Sequence, residues 1–111
     1  MSTLHFKNPS FNNGLNLTVR RGVKWDCADH DNVLIADSST ILARVSIATR
    51  VFRFCDLTDR ELANEHDPEC RTAFGLFTVL RDVYPGFDDR ELVTLVEFAF
   101  NHQEANDAKL G

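Results

Sequence analysis

Thr18-Val19-Arg20-Arg21-Gly22-Val23-Lys24-Trp25 gathers a hydroxyl, three permanent cations and the only Trp of the chain into one short stretch. Guanidinium groups fork onto phosphate or carboxylate oxygens, an ammonium acts as a point charge, and an indole stacks on a planar base. The stretch therefore suits an anionic or planar partner, with Thr18, Arg20, Arg21, Lys24 and Trp25 as the candidate contacts. Leu15, Leu17 and Val19 alternate with Asn16, Thr18 and Arg20, which predicts a half-buried strand carrying Thr18 and Arg20 together on its polar face. Arg44, outward-facing on a later strand, extends the basic face.

Other reactive residues carry weaker signals. Cys27-x-x-His30 and His66-x3-Cys70 would together offer two thiolates and two imidazoles, a set that zinc accepts. The spacing is not that of a zinc knuckle and the pairs fall in different loops, so no metal is expected. Neither a phosphate-cradling glycine loop nor a dinucleotide fingerprint is present, and no cofactor is expected either. With Cys55 the thiols number three, an odd count without a C-x-x-C, which fits a reducing compartment better than a disulfide framework.

The elements that must position these groups are short. The 111 residues, 43% hydrophobic, suit one domain. The net charge of −5 is uneven: seven basic residues face four acidic ones through Cys55, and five face thirteen beyond it. Long-range steering toward a polyanion is weak, and only a local basic face remains. No run approaches a membrane span, and Met1 to His5 lacks the charged and apolar regions of a signal peptide, so a cytoplasmic location and no membrane partner are expected.

Residues 1–13 read as an N-terminal loop, dense in turn formers from Asn8 to Gly14. Val33 to Ala36 reads as a buried strand and Asp37 to Thr40 as a hairpin turn. In the β pattern from Ile41 to Phe54, Ile41, Ala43, Val45 and Ile47 face inward, and a bulge near 48–50 switches the buried face. Two helices are predicted: one from the capping box Thr58-Asp59-Arg60-Glu61 to about Glu65, and one opened by Asp67-Pro68-Glu69, with Ala73, Phe77, Leu80 and Tyr84 as its apolar stripe. Pro85-Gly86 stops the second helix, Leu92 to Phe100 is a final strand, and 101–111 reads as a flexible tail.

Thr18-Val19-Arg20 before a turn, the apolar strand pair, Asp56-Leu57-Thr58, the helix end Asp82-Val83-Tyr84-Pro85-Gly86 and Val93-Thr94-Leu95-Val96-Glu97-Phe98 together resemble the ASCH domain of the PUA-like superfamily. The likeness covers residues 14–100. It implies an α+β fold: a small PUA-like β-barrel with two helices packed at one side, and a cleft between barrel and helices that binds RNA, a nucleotide or a modified nucleoside. Some ASCH-like proteins are amidohydrolases that deacylate N4-acylated cytidine with a Lys, a Thr and a Glu, and a ribonuclease activity is described for others. By the same likeness the Thr falls on Thr18, the motif Arg on Arg20, and the Lys on Leu15. The Glu falls on Glu69 when counted back from Tyr84-Pro85-Gly86, and on Glu65 when the preceding helix is aligned.

Amide hydrolysis needs a nucleophile or activated water, a base and a group that stabilises the oxyanion. Thr18, Glu65 or Glu69, and Arg20 or Lys24 could fill those roles. Whether the chain is an enzyme stays open, because Leu15 can carry neither charge nor proton. Three functions follow as alternatives: a binding module for RNA, a nucleotide or a modified nucleoside; an amidohydrolase on acylated cytidine-like amides; and a protein-interaction module using the acidic helical half.

Overall fold

A computed structural model describes residues 2–101. Among these residues six strands, β1 (Ser2–His5), β2 (Gly14–Arg21), β3 (Val33–Ala36), β4 (Ile41–Val45), β5 (Ile47–Arg53) and β6 (Leu92–Phe100), accompany one α-helix, α1 (Ala73–Val83). The fold is α+β. The strands form two three-stranded sheets, ordered β1-β3-β4 and β2-β6-β5, and no closed barrel is found among the described residues.

The sheets are joined where β4 passes into β5 at Ser46, so the long β pattern is divided between them. Its irregularity lies earlier than the sequence suggests. The β3–β4 register shifts between Ile35 and Ala36, whose partners are Ala43 and Ile41, so Leu42 is the extra residue. That bulge buries Leu42 and leaves Ile41 exposed, reversing the alternation expected there.

The β2-β6-β5 sheet is covered on both faces. Thr18 lies opposite Val96 and Asn16 opposite Phe98. This face meets Val33, Ile35 and Leu42 of the other sheet, together with Phe6 and Trp25. On the reverse face Leu17, Val19, Val93 and Leu95 pack against Leu76 and Leu80 of α1 and against Phe54, Leu57 and Leu62. β2 is thus buried on its polar face as well. Asn16 tolerates this because its carboxamide bonds the Asn12 amide and the Asn12 and Gly14 carbonyls.

Three expectations are corrected. Residues 2–5, read as part of an N-terminal loop, form β1, which pairs parallel to β3 from Ser2–Val33 to His5–Ala36. Residues 58–65 are a chain of turns rather than a helix. The capping-box contacts between Thr58 and Glu61 form, but the backbone bonds that follow run to the third residue back, and the segment then leaves to pair with β2. Asp67-Pro68-Glu69 opens only a 3-10 turn, Pro68–Cys70, with the Asp67 carboxylate capping the Glu69 amide. The helix proper starts at Ala73, capped by the Thr72 hydroxyl on the Gly75 amide, and ends before Pro85-Gly86 as predicted. Of the expected tail, all but Asn101 lies outside the described residues.

Candidate functional site

The edge of β2 that faces away from β6 is half covered. The Leu17 amide donates to the Asn64 carbonyl and the Leu17 carbonyl accepts from the His66 amide, both at 2.9 Å, so Glu65 forms a parallel bridge with Leu17. The bridge is a single residue pair and stops there. Leu17 turns its peptide groups away from β6, and antiparallel alternation turns those of Val19 the same way. Beyond the bridge that edge opens into a hollow.

The hollow measures about 480 Å³. Its walls come from every layer: the end of β1 with Phe6, Lys7 and Asn8; Thr18, Val19 and Arg20 of β2; Asp37 and Ser38 in the β3–β4 turn; Glu65, His66, Asp67 and Cys70; and Leu76, Val79, Leu80 and Val83 along α1, closed by Tyr84. The α1 residues recur at helical spacing, so a stripe meant for burial becomes an apolar wall at this flank.

Three of the residues put forward for catalysis or ligand binding meet here: Thr18, Arg20 and Glu65. The Arg20 side chain lies along β2, its Nε donating to Thr18 Oγ1 at 3.2 Å and its guanidinium stacked over the Phe6 ring at 4.7 Å from the centroid. Burial lowers its proton affinity from the ordinary value, partly offset by Tyr84 and Glu65 nearby, and it stays a cation. Thr18 accepts from Arg20 and keeps its own hydroxyl proton to donate.

Glu65 is 2% exposed. Burial pushes its carboxyl up to about 8, the nearby Asp67 carboxylate adds to this, and the Asp67 amide, Arg20 and Arg71 counter it only in part. Its Oε1 accepts from the Asp67 amide at 3.2 Å and lies 3.2 Å from His66 Nε2. Arg71 holds the same turn from outside: its Nε donates to the Glu65 carbonyl at 3.0 Å and its Nη2 to Asn12 Oδ1 at 2.9 Å.

The remaining candidates lie elsewhere. Glu69 is exposed and does not line the hollow, so of the two Glu candidates Glu65 is the one that does. Arg21 is exposed and paired with Glu91 at 2.7 Å, its guanidinium over Tyr84 at 5.2 Å. Lys24 sits exposed in the turn after β2, and Arg44 is exposed on β4, away from the hollow. Trp25, 9% exposed, is part of the core between the sheets and has no face free for stacking in the hollow. Leu15 is half exposed near the start of β2. Cys27 is exposed, and no group of three or more metal-ligating side chains occurs among the described residues. Cys70 lines the hollow, but burial beside the Glu65, Asp67 and Glu69 carboxyls pushes its thiol up to about 12, which keeps it protonated and inert as a nucleophile.

Sequence reasoning missed His66 and Phe6. His66 entered only as a weak zinc candidate, and Phe6 stood in a segment read as loop. The adjacency of Glu65 and His66 was visible, but only the bridge to Leu17 turns both toward one place. No match to this chain is found among protein-family profiles, curated proteins or solved structures.

Proposed function

We propose that the hollow binds a nucleoside-sized ligand: a nucleotide, a modified nucleoside or one residue of a single-stranded RNA. The convergence of Thr18, Arg20 and Glu65 on a cavity of about 480 Å³ carries this reading. Small-molecule sites have this character, mostly apolar walls with a few placed polar groups. Leu76, Val79, Leu80 and Val83 give a planar ring an apolar bed, while Thr18, Arg20, Glu65 and the outward peptide groups of Val19 offer donors and acceptors to its edge. Lys7 at the rim, exposed, is placed for a phosphate. The ASCH-like reading of the sequence agrees with a cleft ligand of this class.

Titration with ribonucleoside monophosphates, followed by backbone amide shifts, tests the proposal. The Val19, Arg20 and Tyr84 signals move on binding, and Arg20→Ala weakens affinity about tenfold, the scale of one charge-assisted hydrogen bond. Lys24→Ala and Arg44→Ala leave it unchanged. Shifts confined to the Arg21–Lys24 turn, or no binding at millimolar ligand, overturn it.

A second reading has one observation in its favour: Thr18 and Glu65, the two residues an amidohydrolase of the ASCH type needs besides its Lys, border the same hollow. Incubation with N4-acetylcytidine at high protein concentration tests it, and release of cytidine that disappears in Thr18→Val is the expected result. Absence of turnover removes this substrate.

A further inference from the structure

The His66 ring is held at both nitrogens, and neither reading above uses it. Its Nδ1 lies 3.1 Å from the Ser10 carbonyl and its Nε2 lies 3.2 Å from Glu65 Oε1. The ring is held edge-on to Phe6, with centroids 4.7 Å apart, and tilted against Phe11 at 5.7 Å. A carbonyl can only accept, so Nδ1 carries a proton. Nε2 of a neutral ring is then a bare lone pair facing a carboxyl oxygen. That contact is attractive only if one proton lies between Nε2 and Oε1, on either atom. With none, two lone pairs oppose each other; with two, the pair is charged in a largely apolar surround.

We propose that His66 is a positioning residue that keeps one proton on the Glu65–His66 pair and so presents Glu65 Oε2 to the hollow as a hydrogen-bond acceptor for an N–H group of the ligand. In both forms of the pair, carboxylic acid with imidazole or carboxylate with imidazolium, the proton lies on the Oε1 side and Oε2 is bare. The Asp67 amide, which donates to Oε1, favours the second form, with the proton on Nε2 and Oε1 accepting from both. Among the described residues Oε2 has no hydrogen-bond partner, and no buried side-chain oxygen lacks one, so Oε2 is the accessible oxygen. The charged groups around the pair are Arg20 from β2, and Asp67 and Arg71 from the connection to α1; Cys70 beside them is neutral. Burial holds the first proton on Glu65 and resists a second on His66, so the one-proton state spans neutral pH. The ligand this selects carries an exocyclic amino group where a competitor carries a carbonyl. The inference rests on the hollow being the binding site, but its core concerns the unliganded protein.

Two measurements decide it. In 15N-histidine-labelled protein, with the His66 signals assigned by their loss in His66→Phe, the ring shows Nδ1–H and a hydrogen-bonded Nε2 across neutral pH. A ring protonated on Nε2 alone, or one titrating freely at the ordinary histidine value, overturns the proposal. The second compares amino and oxo bases, adenosine against inosine and cytidine against uridine. The amino member of at least one pair binds about tenfold tighter to the natural protein, the scale of one matched hydrogen bond, and His66→Phe loses that preference and its pH profile while keeping the aromatic packing. An unchanged preference in the variant overturns the role. If no nucleoside binds at all, the proposed function fails, whereas the ring spectrum still decides the state of the pair.

Discussion

Leu17 and Glu65, 48 positions apart, face each other in a parallel bridge at the edge of β2. Everything that distinguishes Glu65 from the other carboxylates of the acidic half follows from that pairing. It removes the peptide groups of 64–66 from any helix, buries a side chain that would otherwise be solvated, and sets it beside Thr18 and Arg20 at the point where the β2 edge opens.

Arg71 ties this turn to the segment before β2 through the Glu65 carbonyl and Asn12 Oδ1. Arg71→Ala strands two acceptors, at a cost of about 2 kcal/mol for hydrogen bonds to a charged donor. Urea unfolding shows this as a lower midpoint with an unchanged slope. Nucleoside affinity falls with it, because Glu65 loses its fixed position. Unaltered stability would mean that the bridge to Leu17 alone holds the turn.

The protonation of Glu65 writes a sign into the pH dependence of stability. Its folded value is raised from the ordinary 4.5 to about 8, so between those limits the folded chain holds a proton that the unfolded chain has released. Stability is full below about pH 4.5 in this respect and is lost as pH rises to about 8. His66, lowered from 6.5 by burial, opposes it: the unfolded ring takes up a proton more readily, so its contribution is lost as pH falls below 6.5. Glu65→Gln removes the alkaline decline and leaves the acid one. Denaturation midpoints across this range check it, and a variant with the same alkaline slope as the natural protein would refute the raised carboxyl.

Gly75 lies where α1 passes the preceding 3-10 turn. A Cβ there would overlap the Glu69 carbonyl oxygen and press on the Thr72 hydroxyl that caps the helix. In an open helix Gly→Ala stabilises by about 1 kcal/mol. Here the sign reverses, to a loss of about 1–3 kcal/mol from overpacking, measured by chemical denaturation. A gain in stability would show that the turn yields without cost.

Local signals were legible and non-local ones were not. β6 could be read because Val93, Leu95, Val96 and Phe98 are apolar on both faces, as a strand in a covered sheet must be. The β3–β4 hairpin was legible from Asp37, whose carboxylate accepts the Ser39 and Thr40 amides. The capping box at Thr58 also forms, but a cap costs little to satisfy within a turn, and the pairing of Leu17 with Glu65 wins over helix propagation. The same long-range pairing made Glu65 and Glu69 indistinguishable in one dimension. Thr18 and Arg20 were placed on one face correctly, whereas the cover over that face, Phe6 after a four-residue strand, has no local signature.

Thr18 separates the two functional readings most cleanly. It is 4% exposed, and valine keeps its shape and β propensity while removing the oxygen that accepts from Arg20. Arg20 retains its stacking on Phe6 and reaches the hollow, so the fold persists with a stability change of about 1 kcal/mol, the net worth of one hydrogen bond. If the hollow is a binding site only, Thr18→Val weakens nucleoside affinity by about tenfold at most, as one lost contact does. If Thr18 attacks or positions water at an acyl group, the same variant loses turnover of N4-acetylcytidine entirely while the product, cytidine, still binds. Isothermal titration and a single-turnover assay on one preparation distinguish these outcomes, and full retention of both binding and turnover would remove Thr18 from the site.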